Sequence, residues 1–336
     1  MMQTVLVVGA SGFVGSHVLE ALMKRDDLKI VAACRDRAKL PVNFNGEVRE
    51  GDLRDGHYRV SLVKDIDVIC YAAAWSSLWG HQQESKTEFL EPALAFIKCA
   101  YEAGVKRFIN TSSTSAAAPE KSSDPLSYGV PRALWPHLCN VIEIENTLRD
   151  LATPSFQVVN MRLGIFAGNR YSLGVFPILV PRLKTHLVPW VAGGRTSLPV
   201  VDGRDIGQAY SRAVTAKNLS NYDGFNIVGP EIPTVRQVIT FLHDEYKLPL
   251  PHFSVPFLIA YPFAWLMEKI DPIVPWEPLV TRSIIHLMEE VNVSNAKAAE
   301  VLGYQPVHHW HETIREQMLE MASREKRPMK MAVQIL

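Results

Sequence analysis

Gly9-Ala10-Ser11-Gly12-Phe13-Val14-Gly15 is the stretch on which the reading of this chain turns. It follows Thr4-Val5-Leu6-Val7-Val8, a short apolar run rich in β-branched residues, as a strand buried on both faces requires. It precedes a run over 17–24 in which apolar residues recur at helical spacing. Three glycines therefore stand where a strand turns into a helix. Such a turn lets phosphate oxygens approach bare backbone, and the helix start offers unpaired N–H groups and a partial positive charge. Gly9, Ser11, Gly12, Phe13, Val14 and Gly15 are the expected cradle for a pyrophosphate.

Outward from this turn, strands and helices alternate. Strands read over 29–34, 47–51, 67–73, 107–111 and 156–162, and helices over 85–102 (closed by Gly104) and 141–151. Alternation of this kind implies an α/β fold, a Rossmann-type doubly wound parallel sheet with helices on both faces. After about Gly164 prolines become denser, and helices at 235–246, 294–302 and 309–321 dominate. The expected organisation is a dinucleotide-binding Rossmann domain over 1–165, then a smaller, mostly helical substrate lobe over 166–325 interleaved with late sheet strands. A frayed basic tail is expected over 326–336.

Composition narrows the partners. The 336 residues carry 35 Lys and Arg against 35 Asp and Glu, a balance that argues against a nucleic-acid binder. Cys34, Cys70, Cys99 and Cys139 are scattered without metal-ligand spacing and read as reduced core thiols. The chain begins directly in a strand, which leaves no room for a signal peptide, so a cytoplasmic protein is expected, monomer or homodimer. His308, His309 and His311 lack a Cys or carboxylate at ligand spacing and suggest a helix start, so no metal is expected. The stretch 248–267 contains no Asp, Glu, Lys or Arg and is long enough for a membrane span. Pro249, Pro251, Pro256 and Pro262 interrupt it. A buried or substrate-lining helix is the expectation, with weak membrane-surface contact through 253–267 as the alternative.

The end of the second strand bears on which dinucleotide is bound. An acid about 20 residues beyond the glycines would bond a ribose 2′-OH. Here the strand ends Ala32-Ala33-Cys34-Arg35-Asp36-Arg37, with cations where a 2′-phosphate would need them. Arg35 and Arg37 favour NADP; Asp36 turning back to the ribose would restore NAD.

Several segments together resemble the extended short-chain dehydrogenases/reductases, the NAD(P)-dependent epimerase/dehydratase family, nearest its 3β-hydroxysteroid dehydrogenase-like branch. They are the glycine turn, Gly51-Asp52-Leu53, Tyr71-Ala72-Ala73-Ala74, the run from Gly104 to Ser113, the run from Val200 to Ala209 and the run from Lys297 to Pro306. The resemblance implies cofactor contacts at Asp52 (to the adenine), Leu53, Ala72, Ala73, Ala74, Thr111, Ser112, Val141 and Leu163. It implies a catalytic role for Ser113. The family's chemistry uses a Tyr and a Lys four positions apart on the helix after the fifth strand. Counting back from Glu145 puts the Lys position at Val141 and the Tyr position at His137. Valine supplies neither charge nor hydrogen bond, while histidine moves protons with a different reach and pKa. A second register, Tyr128 to Arg132, is opposed by Pro131 and Pro136, which break a helix there. Tyr128 on a loop is a further candidate for the proton-transfer role.

On the substrate side, Trp75, Ser76, Trp79 and His81 follow the fourth strand at the ligand-binding edge. Phe176, Trp190 and 253–267 would complete a greasy cavity. The expected function is an NAD(P)-dependent oxidoreductase or epimerase-like protein acting on an apolar carbonyl or alcohol, steroid-like or acyl-chain. A catalytically silent NADP-binding sensor or scaffold and a nucleotide-sugar epimerase/dehydratase are the alternatives.

Overall fold

The structure, a computed structural model, describes residues 2–117, 124–129, 131–170, 175–270, 278, 280–289 and 293–325. The expected tail over 326–336 lies outside the described residues. The chain opens β1 (Gln3–Val8), α1 (Phe13–Leu22), β2 (Leu28–Cys34), β3 (Glu47–Glu50), α2 (Gly56–Leu62) and β4 (Val68–Tyr71). It continues α3 (Gln82–Ser85), α4 (Glu91–Glu102), β5 (Arg107–Ser113), α5 (Pro136–Leu151) and β6 (Gln157–Leu163). These strands pair in parallel, and with β10, introduced below, they form one seven-stranded sheet. Its order runs β10-β6-β5-β4-β1-β2-β3, so the order reverses between β1 and β4. Ligands of open α/β sheets bind in the crevice at that point, beyond the carboxyl ends of the strands.

The continuous apolar character of β1 follows from burial on both faces. Val5 and Val7 pack into the cluster that includes α1, whereas Leu6 and Val8 pack with Phe96, Ile97, Val141 and Ile144 of α4 and α5. One helix expected over 85–102 is instead α3, a π-helical turn over Lys86–Leu90, and α4. Pro92 explains the change: it has no N–H to give the carbonyl four residues back, so the ladder widens before α4 begins. The short helix α2 and the strand β10 carry no strong periodicity of their own, and the sequence reading passes over them.

The second half is β7 (Ile165–Ala167), α6 (Val175–Lys184), β8 (Trp190–Val191), β9 (Val200–Asp202), α7 (Gly203–Thr215) and β10 (Tyr222–Ile227). It ends α8 (Val235–Tyr246), β11 (Ser254–Val255), α9 (Phe257–Ile270), α10 (Arg282–Leu287), α11 (Ala296–Leu302) and α12 (Trp310–Glu325). The chain leaves the sheet after β6, builds part of the second lobe, lays α7 over α1, and returns as β10 beside β6. Phe176, Trp190, Val238, Leu242 and Trp310 form the core of the lobe. Asp202 and Asp205 tie it down. Thr313 of α12 donates to Asp202 at 2.8 Å, and the His308 ring meets Asp205 at 2.8 Å. His308 is thereby engaged, and His311 stacks on Trp310, so the histidine cluster is a helix anchor.

The helix over 257–270 departs from its expectation as a buried element. Only Ala260, Ala264 and Glu268 of α9 are buried. Leu258 is 91% exposed, and Ile259, Phe263, Trp265 and Leu266 are exposed with it.

Candidate cofactor and active site

The glycine turn separates two jobs that its sequence runs together. A Cβ on Gly9 would come within 2.7 Å of the Ala73 backbone, and one on Gly15 within 2.1 Å of the Gly9 carbonyl oxygen. Gly9 also sits at φ +76°, a conformation that favours glycine. Those two are glycines because the chain itself fills the space. A Cβ on Gly12 would meet only the Gly9 oxygen, at 3.3 Å. That contact with backbone is already tight, and the missing Cβ also leaves the helix start bare. Gly12 is the N-cap of α1, and no side chain caps it. The four leading N–H groups of a helix need partners, and this end of α1 faces the crevice beside Ala73. The turn thus fits a pyrophosphate at the helix N-terminus.

At the end of β2, Asp36 is engaged locally. Its carboxylate accepts from the Ala38 N–H at 3.0 Å and pairs with Lys39, capping a short 3-10 turn over Arg37–Lys39. Arg35 and Arg37 are exposed, and among the described residues neither forms an ion pair. Asp52 is held by Arg54, whose guanidinium spans both carboxylate oxygens at 3.0 and 2.7 Å and also reaches Glu88. That contact keeps the Asp52 carboxyl below the usual carboxylate range. Ala72 continues the ladder by donating to Val8, and Ala73 underlies Gly9, so the small residues after β4 floor the crevice.

The three hydroxyls ending β5 do different things. Thr111 donates to the Tyr71 carbonyl at 2.7 Å and meets the Tyr210 hydroxyl at 2.6 Å. Ser112 is buried and donates to Glu145. Ser113 accepts from the Ser115 N–H at 3.2 Å, and its own proton has no acceptor among the described residues. Leu163 is its register partner on β6 and is buried.

Helix α5 is placed on the sheet by Glu145. Its carboxylate accepts from Ser112, from Asn160 at 2.6 Å and from Arg162 at 3.0 and 2.6 Å, all buried. With Glu145 level with Ser112, helix rise puts Val141 about 6 Å and His137 about 12 Å further toward the carboxyl edge. Val141 is 8% exposed and packs in the apolar cluster beneath α5. His137 packs against Phe89 at 4.9 Å, and its Nδ1 is sealed from solvent with no hydrogen-bond partner among the described residues. Burial pushes its pKa down to about 4. Tyr128 is not brought to this place. It is 62% exposed and lies under Arg149, Cζ 3.8 Å from the ring centre, three turns or roughly 18 Å along α5 from His137. The helix starts at Pro136, which leaves the Tyr128 to Arg132 register outside it.

Beyond the carboxyl end of β4 lies a cavity of about 540 Å³. Leu78 and Trp79 wall one side, Ile178 and Pro181 of α6 another, and Ile284 of α10 a third. His81 and Arg182 are the basic groups on its lining. Trp75 packs into the core behind it, facing His81 edge-on. Phe176 does not line the cavity as expected. It is fully buried with Trp190 and Trp310, because α6 turns that face inward. One group of residues found here carries no signal in sequence spacing. His286 of α10 is buried, meets the Ser115 carbonyl oxygen at 3.0 Å and Glu289 at 2.7 Å, and Tyr261 donates to the same carboxylate. Both ring nitrogens lie within hydrogen-bond distance of an oxygen. Burial opposes the Glu289 charge, yet the His286 and Tyr261 hydrogen bonds hold its carboxyl below the usual range. This clasp fastens α10 to the turn that follows Ser113.

Three comparisons bear on this geometry. The sequence pattern of the NAD dependent epimerase/dehydratase family matches residues 5–228. A ketoreductase of Aspergillus niger is 25% identical over 295 residues, covering 75% of this chain and 86% of the relative. A 3-beta-hydroxysteroid dehydrogenase of Mycolicibacterium neoaurum is 30% identical over 118 residues, about a third of each chain (33% and 32%). In fold, the chain is similar to a UDP-glucuronic acid 4-epimerase of Bacillus cereus solved with UDP-glucuronic acid and NAD. The TM-score is 0.72 with 17% identity, over 96% of this chain and all of the other.

Proposed function

The chain belongs to the NAD dependent epimerase/dehydratase family, and on that premise we propose that it is an NADP-dependent oxidoreductase of an apolar alcohol–carbonyl pair. The cavity carries this reading. A nucleotide-sugar diphosphate calls for several cations, whereas the lining here is apolar apart from a few polar groups, with Arg182 its one Lys or Arg among the described residues. Arg35 and Arg37 stand free to meet a 2′-phosphate, and Asp36 is committed elsewhere.

When bound, the nicotinamide accepts or supplies hydride. The chain's own part is to hold and move a proton at the substrate oxygen. Ser113 has a proton to donate to that oxygen, which orients it. Burial keeps His137 uncharged at neutral pH, so it has no imidazolium proton to give, and with Nδ1 sealed in the protein the nitrogen assigned the acceptor role is Nε2. The direction supported is oxidation: the hydroxyl proton passes to His137 as hydride leaves carbon. Val141 provides no cation to tune the site, so slow turnover is expected.

The experiment is NADP-dependent oxidation of a panel of long-chain and polycyclic secondary alcohols by the full chain. His137→Phe should lower kcat by about two to four orders of magnitude while NADP binding persists. Arg35→Ala should weaken NADP and leave NAD nearly unchanged, read by calorimetry. Tight NADP binding with no turnover on any alcohol or carbonyl would favour the silent sensor instead. The buried valine at 141 is the observation that supports that second reading.

A further inference from the structure

Among the described residues, nothing packs on the outer apolar face of helix α9. Its 14 residues span about 21 Å. Ala260 and Ala264 pack with Val191, Val280 and Ile285, and Glu268 is buried on the same side of the helix. The opposite arc is Leu258, Ile259, Pro262, Phe263, Trp265 and Leu266, all exposed. Phe253, just before the helix, is exposed with them. An arc of this size and composition marks a contact surface on a soluble protein.

We propose that this face docks the protein on the surface of an anionic lipid bilayer, with α9 lying in the interface plane. This stands apart from the catalytic reading. Charge is the first argument. The chain as a whole balances 35 cations against 35 acids, yet the stretches 184–201 and 246–267 contain exposed Lys184, Arg195 and Lys247 and not one Asp or Glu. The two stretches are joined by the β8–β11 pairing and by the stacked rings of His186 and His252, beside exposed Leu187. The one acid of α9, Glu268, is turned inside and paired with Arg282 at 2.7 Å. Exposed cations on the stretches that flank an apolar face complement anionic headgroups.

Hydrogen bonding is the second argument. A protein partner of ordinary kind would find about one hydrogen bond per 100–200 Å² of contact. The exposed arc offers only the Trp265 indole and Lys269 at the C-terminal end, where Lys269 lies 6.0 Å from the Trp265 ring centre. An indole and a long-stemmed cation at one end of an apolar helix suit the boundary between headgroups and hydrocarbon. Among the described residues no helix is long and apolar enough to cross a membrane, so the contact is with the surface.

The test sediments the full chain with vesicles of phosphatidylcholine alone and of equal parts phosphatidylcholine and phosphatidylglycerol. The wild type should bind the anionic vesicles and release as salt rises. Leu258→Asp combined with Leu266→Asp should reduce binding about tenfold or more, with an unchanged melting temperature. If that variant melts early, quenching by brominated phosphatidylcholine decides, read as the difference between the wild type and Trp265→Phe. Absence of binding to anionic vesicles, or binding that both readouts show to be independent of α9, overturns the proposal. A wild-type dimer that the double variant converts to monomer also overturns it, by giving the face to a second copy.

Discussion

His137 lies in a place where its charge is costly, and that has a measurable consequence for stability. Burial holds it near pKa 4, against 6.5 for an imidazole in water. Between those two values the unfolded chain binds a proton that the folded chain does not. Stability is therefore present above the unfolded value and falls as pH drops toward the folded one. The shift corresponds to on the order of 3 kcal/mol. His137→Phe should flatten the acid limb of a plot of urea midpoint against pH. His17 is depressed by burial in the same direction, so the slope should shrink without vanishing. A slope unchanged by His137→Phe would show that the ring titrates as it does in water.

Among the elements, α5 is the one whose position decides the site, and a buried ion pair holds it. Glu145→Ala would leave the Arg162 guanidinium, fully buried in the sheet, without its counter-charge. Loss of about 3–5 kcal/mol is expected from chemical denaturation, and Glu145→Gln should cost less because it keeps two of the hydrogen-bonding roles. A loss below about 1 kcal/mol would mean that Arg162 reaches water once the carboxylate is gone. The parallel sheet was legible because β1 and α1 differ in period and composition on either side of the glycines. Glu145 was legible as a register mark, though its carboxylate cluster with Ser112 and Asn160 was not, since those partners lie 33 and 15 residues away. Phe176 was misread because an aromatic near a site looks the same in sequence whether a helix turns it in or out. The His286 clasp was illegible for the same reason: its partner Ser115 is 171 residues distant.

At the scale of the whole molecule, strand pairing and helix packing both cross the division near 165. β10 is hydrogen-bonded to β6 along six residue pairs, and α7 covers α1. A chain cut after 165 would expose the β6 edge and the apolar face of α1 together, and we expect it to be insoluble or molten, checked by near-UV circular dichroism. The full chain should unfold in one calorimetric transition; two separated transitions would show independent lobes. The late return of β10 also sets the order of events at the ribosome. Synthesis is vectorial, and the first six sheet strands emerge long before Tyr222–Ile227 do. During that interval the nascent sheet has an open hydrogen-bonding edge at β6 and a bare greasy helix at α1, the features that recruit chaperones or seed aggregation. Synonymous slow codons placed between 164 and 227 should therefore lower the soluble yield of this protein, although no residue in that stretch changes.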